Sequence, residues 1–338
     1  MILKYITHSK AIVGAILLFF FLNACLVSRS FANNSDQVGP EIIFQILASE
    51  IALISGNVSS AVITYLDVAS KTGDIGAAKR ATELALAIRD HESALKAAEI
   101  WQESDAQDTG ASEAVKALYL ITGKNIKLID KLIVERENAR KKNTLENFYN
   151  EVNVLVSKSN NPTSALNIFE KVSYKDRSRP EVMYSRAMLH YRKGDKGKME
   201  KILRSLVKKK PDHVQALNAL GYSMADANKN LREAFDLIKA ALTFAPQDPH
   251  IIDSMGWVYF RLGQLEMAEE WLEKAFNRQP DAEISAHYGE VLWHLSRKQD
   301  AIQIWKIGFN KEPNNAILLE TVDRLKVNVD KLKGNIQN

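Results

Sequence analysis

Four prolines in phase constrain this chain more than any other feature. Pro211, Pro246, Pro280 and Pro313 stand 35, 34 and 33 residues apart, and each closes a stretch whose apolar residues recur at helical spacing. The clearest copy is 249–280, PHIIDSMGWVYFRLGQLEMAEEWLEKAFNRQP. Ile252, Met255, Gly256 and Tyr259 share one face of a first helix, and Arg261-Leu262-Gly263-Gln264 is a turn signal. Ala268, Leu272 and Ala275 repeat the spacing on a second helix. Gly256 and Ala268 fall where two antiparallel helices must approach, and a bulkier side chain there is expected to overpack by about 1–3 kcal/mol. The same frame returns in Leu217, Leu220, Gly221, Ala234, Ile238 and Ala241, and again in Tyr288, Gly289, Leu292, Ala301, Trp305 and Gly308. A degenerate copy runs through Met183, Ala187, Met199 and Leu203. A hairpin of this kind buries its apolar side only against its neighbours, so the sequence predicts an all-α fold, an α-α superhelix of stacked hairpins.

Outside 176–313, which holds the well-formed copies, the pattern weakens without changing type. Residues 33–40 read as a polar linker, and 33–175 as degenerate helical repeats with no convincing strand. Ile42, Ile43, Ile46, Leu47, Glu50, Ile51 and Ile54 mark one helix, closed by Gly56-Asn57, and Ala61, Tyr65 and Val68 mark its partner. Further units run through Ala77, Ala81, Ala85, Ala94, Ala98 and Trp101, and through Tyr149, Val152, Val156, Ala165, Phe169 and Val172. Around 134–147 charge is dense and periodicity fades. A solvated helix face is the expectation there, with a hinge as the alternative. Residues 314–338 are expected to be a helix through Ile317, Leu318, Val322, Leu325 and Val329 that caps the last repeat, followed by a frayed tail from Lys331.

The first 32 residues read as an export signal rather than as fold. Lys4 and Lys10 precede an apolar run from Ala11 to Leu22, which is short for a bilayer span and typical of a signal-peptide core. Two cleavage sites compete. Leu22-Asn23-Ala24-Cys25 resembles a lipobox, which would lipidate Cys25, and Ser30-Phe31-Ala32 resembles an ordinary signal-peptidase site. Cys25 is the one cysteine of the chain, so no intramolecular disulfide is open to it. Either site implies the periplasm, with an outer-membrane lipid anchor if Cys25 is used and a soluble protein if it is not.

The period and the small-residue positions resemble the tetratricopeptide (TPR) repeat, strongly over 180–313 and weakly over 41–175. The strings LNALGYSMAD (217–226), DSMGWVYFRLGQLEMA (253–268) and EISAHYGEVLWHLSRKQDAIQIW (283–305) are more particular than a generic repeat, as is the opening EIIFQILASEIALISGNVSS. They resemble exported TPR proteins of Gram-negative bacteria, among them outer-membrane lipoproteins that serve as adaptors of periplasmic carboxy-terminal processing proteases. The resemblance implies a TPR solenoid that brings such a protease to substrates such as cell-wall hydrolases. The second role it leaves open is assembly factor for a pilus, secretin or exopolysaccharide machine. Self-association also stands open.

Little in the sequence offers catalysis. It has no CxxC pair, no HExxH, no Gly-rich phosphate loop and no GxSxG elbow, so neither an enzyme nor a cofactor is expected. A net charge of +4 over 338 residues lacks the basic face of a nucleic-acid binder. His287, Glu290 and His294 share one helix face, but a polar patch on an exposed helix is the preferred reading over a metal site. In this architecture the first helix of each repeat lines a concave surface. Taking Pro180, Val214, Pro249 and Ala282 as repeat starts, the lining positions are Tyr184, Met188, Tyr191 and Arg192, then Asn218, Tyr222 and Asp226. The next two repeats give Asp253, Trp257, Phe260 and Arg261, then Glu290, Trp293 and His294. Aromatic and Arg side chains are the types that supply binding hot spots for protein or peptide partners, with Trp257 first among them. The same rings also suit packing between neighbouring repeats.

Overall fold

The computed structural model describes residues 39–328 and Leu332. The export signal with both cleavage sites, Cys25 included, lies outside the described residues, as does most of the tail. Among the described residues there are 17 α-helices, one 3-10 turn and no strand. None of these helices is long and apolar enough to cross a membrane. The chain divides into two compact units between Glu135 and Arg136.

The first unit comprises α1 (Pro40–Ile54), α2 (Val58–Thr72), α3 (Ile75–Ala87), α4 (His91–Ser104), α5 (Thr109–Ile121) and most of α6 (Asn125–Lys141). Side-chain caps start α2 to α5: Asn57, Asp74, Asp90 and Asp108 each accept a bond from an amide in the turn that follows. The apposed faces are rich in alanine. Ala77, Ala78, Ala81, Ala85, Ala94, Ala97 and Ala98 are all buried, and Tyr65, Leu95 and Trp101 fill the space that small residues leave.

The second unit begins inside α6. It continues with α7 (Leu145–Ser157), α8 (Pro162–Val172) and the 3-10 turn Tyr174–Asp176. Four hairpins follow: α9–α10 (Pro180–Arg192, Lys196–Lys209), α11–α12 (Val214–Asp226, Leu231–Phe244), α13–α14 (Pro249–Arg261, Leu265–Arg278) and α15–α16 (Ala282–His294, Lys298–Lys311). The four first helices start at the predicted repeat starts, and each phased proline lies just beyond a second helix. Close approach within hairpins is enforced by glycine. A Cβ on Gly256 would lie 2.6 Å from Leu272 Cγ, and one on Gly289 would lie 2.2 Å from the Trp305 ring. The neighbour that requires Gly256 to lack a side chain is therefore Leu272, one turn beyond the predicted Ala268.

Two expectations are sharpened by the structure. The charged stretch 134–147 is helical as far as Lys141 and mostly exposed, as a solvated face requires, but Arg136 within it is only 3% exposed. The Arg136 guanidinium donates to the Val172 carbonyl at 2.6 Å, supplying a cation at the carboxyl end of α8. Arg140 donates to both Asp176 oxygens at 2.9 Å, and the Tyr149 hydroxyl donates to the same carboxylate. The charges are thus spent on holding three segments together. The capping helix α17 (Ala316–Arg324) does cover the last repeat with buried Leu318 and Val322, but it stops at Arg324, and Lys326 turns left-handed at φ 55°. Val329 lies outside the described residues, and Leu332, assigned to a frayed tail, is buried against the last core.

Candidate functional site

The first helices of the second unit pack side by side and form one continuous lining. Its curvature can be read from a single contact. Tyr222 on α11 and His287 on α15 belong to repeats two apart, yet the hydroxyl and His287 Nε2 are 3.3 Å apart, across α13. Side chains two repeats apart meet only if the lining bends inward.

At the centre of that bend is a buried polar cluster. His287 Nδ1 lies 3.0 and 2.9 Å from the two carboxylate oxygens of Asp253 and donates to them. Its ring stacks on Trp257 with 4.2 Å between centroids. Burial is the largest single influence and opposes charge on this imidazole, but the Asp253 carboxylate, through its charge and its hydrogen bond, together with Glu283 and Glu290 outweighs it. The His287 pKa is therefore held above its ordinary value. Burial, reinforced by Asp253, raises the Glu283 carboxyl, and burial together with Glu283, Asp253 and Asp226 raises the Tyr222 hydroxyl far above normal. Further along, the fully covered Glu290 accepts from Arg324 Nη2 at 2.7 Å, which ties the last repeat to the capping helix.

Three of the predicted lining residues are therefore covered. Trp257 is 5% exposed, and Asp253 and Glu290 are 4% and 1% exposed. Helical register placed them off the packing face of their own hairpin, but the next repeat closes over them. His287 covers Trp257 and bonds Asp253, and Arg324 reaches back to Glu290. Trp257 Nε1 has no hydrogen-bond partner among the described residues, consistent with a ring used for its faces. Arg192 is exposed along its stem, but its guanidinium donates to the Val156 and Ser159 carbonyls at the end of α7.

The accessible lining consists of the remaining predicted residues. Tyr191 is 43% exposed, and Tyr184, Met188, Asn218, Tyr222, Phe260, Arg261 and Trp293 are half-buried. Phe260 lies 5.0 Å from the Trp257 ring, and Arg261 is held over that ring at 5.7 Å. Trp293 leans on Trp305 under Lys298. Burial raises the Tyr191 hydroxyl; Lys196 opposes this, and the carboxylates of Asp226, Glu283 and Glu320 reinforce it, so charges on α10, α11, α15 and α17 all bear on this ring. The surface offers ring faces, one thioether, hydroxyls, an amide and carboxylates. The trio His287, Glu290 and His294 does not converge, since the first two are committed to Asp253 and Arg324. Among the described residues no group of three His, Cys, Asp or Glu side chains gathers to hold a metal.

Sequence reasoning missed the pairings Asp253–His287 and Glu290–Arg324. Both partners are 34 residues apart, one repeat length, and that equality was the available signal.

Family models described as tetratricopeptide repeat match residues 200–249 and 250–281. Residues 200–281 are tetratricopeptide repeats. A TPR repeat-containing protein of Pseudomonas aeruginosa, PA4667, is 46% identical over 109 residues, which is 32% of this chain and 18% of that relative's length. Among solved structures, a thermophilic TPR protein of Thermus thermophilus is 20% identical with a TM-score of 0.47, covering 54% of this chain and 100% of its own. A TPR protein of Parabacteroides merdae is 14% identical with a TM-score of 0.46, covering 84% of this chain and 98% of its own. The TPR hairpins found by the family models are α10 to α14, the middle of the lining described above.

Proposed function

We propose that this chain is a non-enzymatic scaffold of the Gram-negative envelope that binds polypeptide along the first-helix lining of 180–324. The observation that carries the reading is the accessible row of Tyr184, Met188, Tyr191, Tyr222, Phe260 and Trp293 on a surface that curves inward. Rings and a thioether held on rigid helices bury large area at low cost in conformational entropy. The buried Asp253–His287–Trp257 cluster is the platform that fixes them. TPR proteins act by binding proteins or peptides, and the repeats of 200–281 support that role for this chain. The finer reading, an adaptor for a carboxy-terminal processing protease, rests on the sequence resemblance of 41–74 and 217–305 to exported TPR adaptors. An adaptor of this kind raises the effective concentration of two bound partners, which adds about 100- to 10,000-fold in avidity without any new contact. Periplasmic location, with a lipid anchor on Cys25, belongs to the same proposal.

The test is affinity capture from an envelope extract with the wild type and with Tyr191→Ala/Phe260→Ala. Tyr191 is exposed and Phe260 half-buried, so far-ultraviolet circular dichroism of the variant checks that the fold is kept. Loss of a captured protein, a processing protease first among those sought, is the expected result. Equal capture by the double variant would refute the assignment of this surface. Mass spectrometry of the mature amino terminus decides between a lipidated Cys25 and cleavage after Ala32.

A further inference from the structure

Helix α1 is apolar on two opposite sides. Ile42 and Ile46 pack into the first hairpin core. On the other side Ile43, Phe44, Leu47, Ile51 and Ile54 are between 53% and 71% exposed. At helical periodicity those five fall within a sector about 100° wide, facing away from the hairpin. A helix apolar on all sides is ordinarily a buried helix. The exposed sector amounts to about 600 Å² of apolar surface, the upper end of what a monomer leaves in one patch and close to the ~800 Å² per partner of a stable interface.

Charge and spacing identify what covers it. The acidic residues of α1 are Glu41 and Glu50, and it carries no Lys or Arg. Helices that lie in a lipid surface draw on basic residues along their polar face, so a membrane is a poor match. Glu50 is drawn away, because the Tyr65 hydroxyl donates to its carboxylate, and Glu41 lies outside the exposed sector. Phe44, Leu47, Ile51 and Ile54 are spaced three, four and three apart, the rhythm of a two-helix seam. Antiparallel pairing about an axis level with Ser49 sets Leu47 against Ile51 of the second copy and Phe44 against Ile54 of the second copy. Glu41 then falls opposite Asn57 and Glu50 opposite Ala48, so no carboxylate meets another. The surface is self-complementary, as an isologous contact requires.

We propose that α1 is the seam of an antiparallel homodimer formed through Phe44, Leu47, Ile51 and Ile54. The contact rests on residues 40–54 alone and is separate from the first-helix lining of 180–324. It would present two such linings in one particle.

The test uses the full chain as its host processes it, with mass measured by light scattering after size exclusion from about 1 to 100 µM, a range bracketing micromolar affinity. The wild type is expected to be a dimer. Leu47→Glu, and the milder Leu47→Gln, should raise the dissociation constant by about tenfold or more while the far-ultraviolet circular dichroism stays unchanged, because the side chain is exposed. Leu47→Glu/Ile51→Lys should recover the dimer through two ion pairs between copies, which only the antiparallel register allows. A wild type that is monomeric throughout, or a dimer indifferent to both Leu47 variants, overturns the proposal. A monomer that sediments with phosphatidylethanolamine–phosphatidylglycerol vesicles through the same residues overturns it in favour of a lipid surface. A dimeric wild type whose double variant stays monomeric overturns the antiparallel register.

Discussion

Asp253→Asn tests the buried cluster most directly, because it keeps the shape of the side chain and removes only its charge. His287 is fully enclosed, and the groups that face it are Asp253 on α13, Tyr222 on α11, Glu283 and Glu290 on its own helix, and the Trp257 ring. Its pKa is held above the ordinary 6.5 because Asp253, with Glu283 and Glu290, outweighs burial. A histidine raised in the folded state contributes stability that is fully present below 6.5 and is lost as pH climbs through the raised value. With asparagine at 253, burial is left in command and the imidazole becomes neutral at lower pH. The charge-assisted bond, worth about 1.5–3 kcal/mol, then becomes a neutral one worth about 0.5–1.5 kcal/mol. The expected loss is therefore about 1–2 kcal/mol at pH 6, and it shrinks as pH climbs through the raised value. Urea titration followed by tryptophan emission reads the right unit, since Trp257, Trp271, Trp293 and Trp305 all lie in it and only Trp101 does not. A loss that stays constant as pH rises from 6, or a gain at pH 6, would show that the pair is not charged in the folded protein and would refute the reasoning.

Three further outcomes follow from the packing. Gly256→Val should destabilise the second unit by about 2–3 kcal/mol, because a Cβ there already meets Leu272 Cγ at 2.6 Å and the branched side chain adds to the overlap. Gly197→Ala, with nothing within 4 Å of the added carbon and a helical position, should instead stabilise by about 0.5–1 kcal/mol, and thermal melting separates the two signs. Asp176→Ala should cost about 1–3 kcal/mol by stranding the buried Tyr149 hydroxyl, with hydrogen exchange rising first in α6 to α8; protection unchanged there would exclude this carboxylate as the tie.

Of the fold, the hairpins of 180–313 were almost fully legible. Helix starts at Pro180, Val214, Pro249 and Ala282 and the phased prolines are local signals, read from spacing and capping chemistry within about a dozen residues. Within the mostly exposed stretch 134–147 the burial of Arg136 was not legible, because the ties of Arg136 and Arg140 run to Val172 and Asp176, each 36 residues ahead of its arginine, where no local pattern points. The candidate site was legible as a set of positions but not as a surface. Tyr191 and Phe260 remained accessible, whereas Trp257, Asp253 and Glu290 did not.

The sequence by itself determined that this chain is helical, where its hairpins begin and end, and which side chains line the first helices, because backbone hydrogen bonding and helical register are settled within one or two turns. Only the tertiary structure decided which of those lining side chains a partner can reach. That depends on how sharply each repeat is set against the next, and a bend that brings Tyr222 to His287 goes with a Trp257 buried under the His287 ring, while Tyr191, Tyr222 and Phe260 stay partly open to solvent.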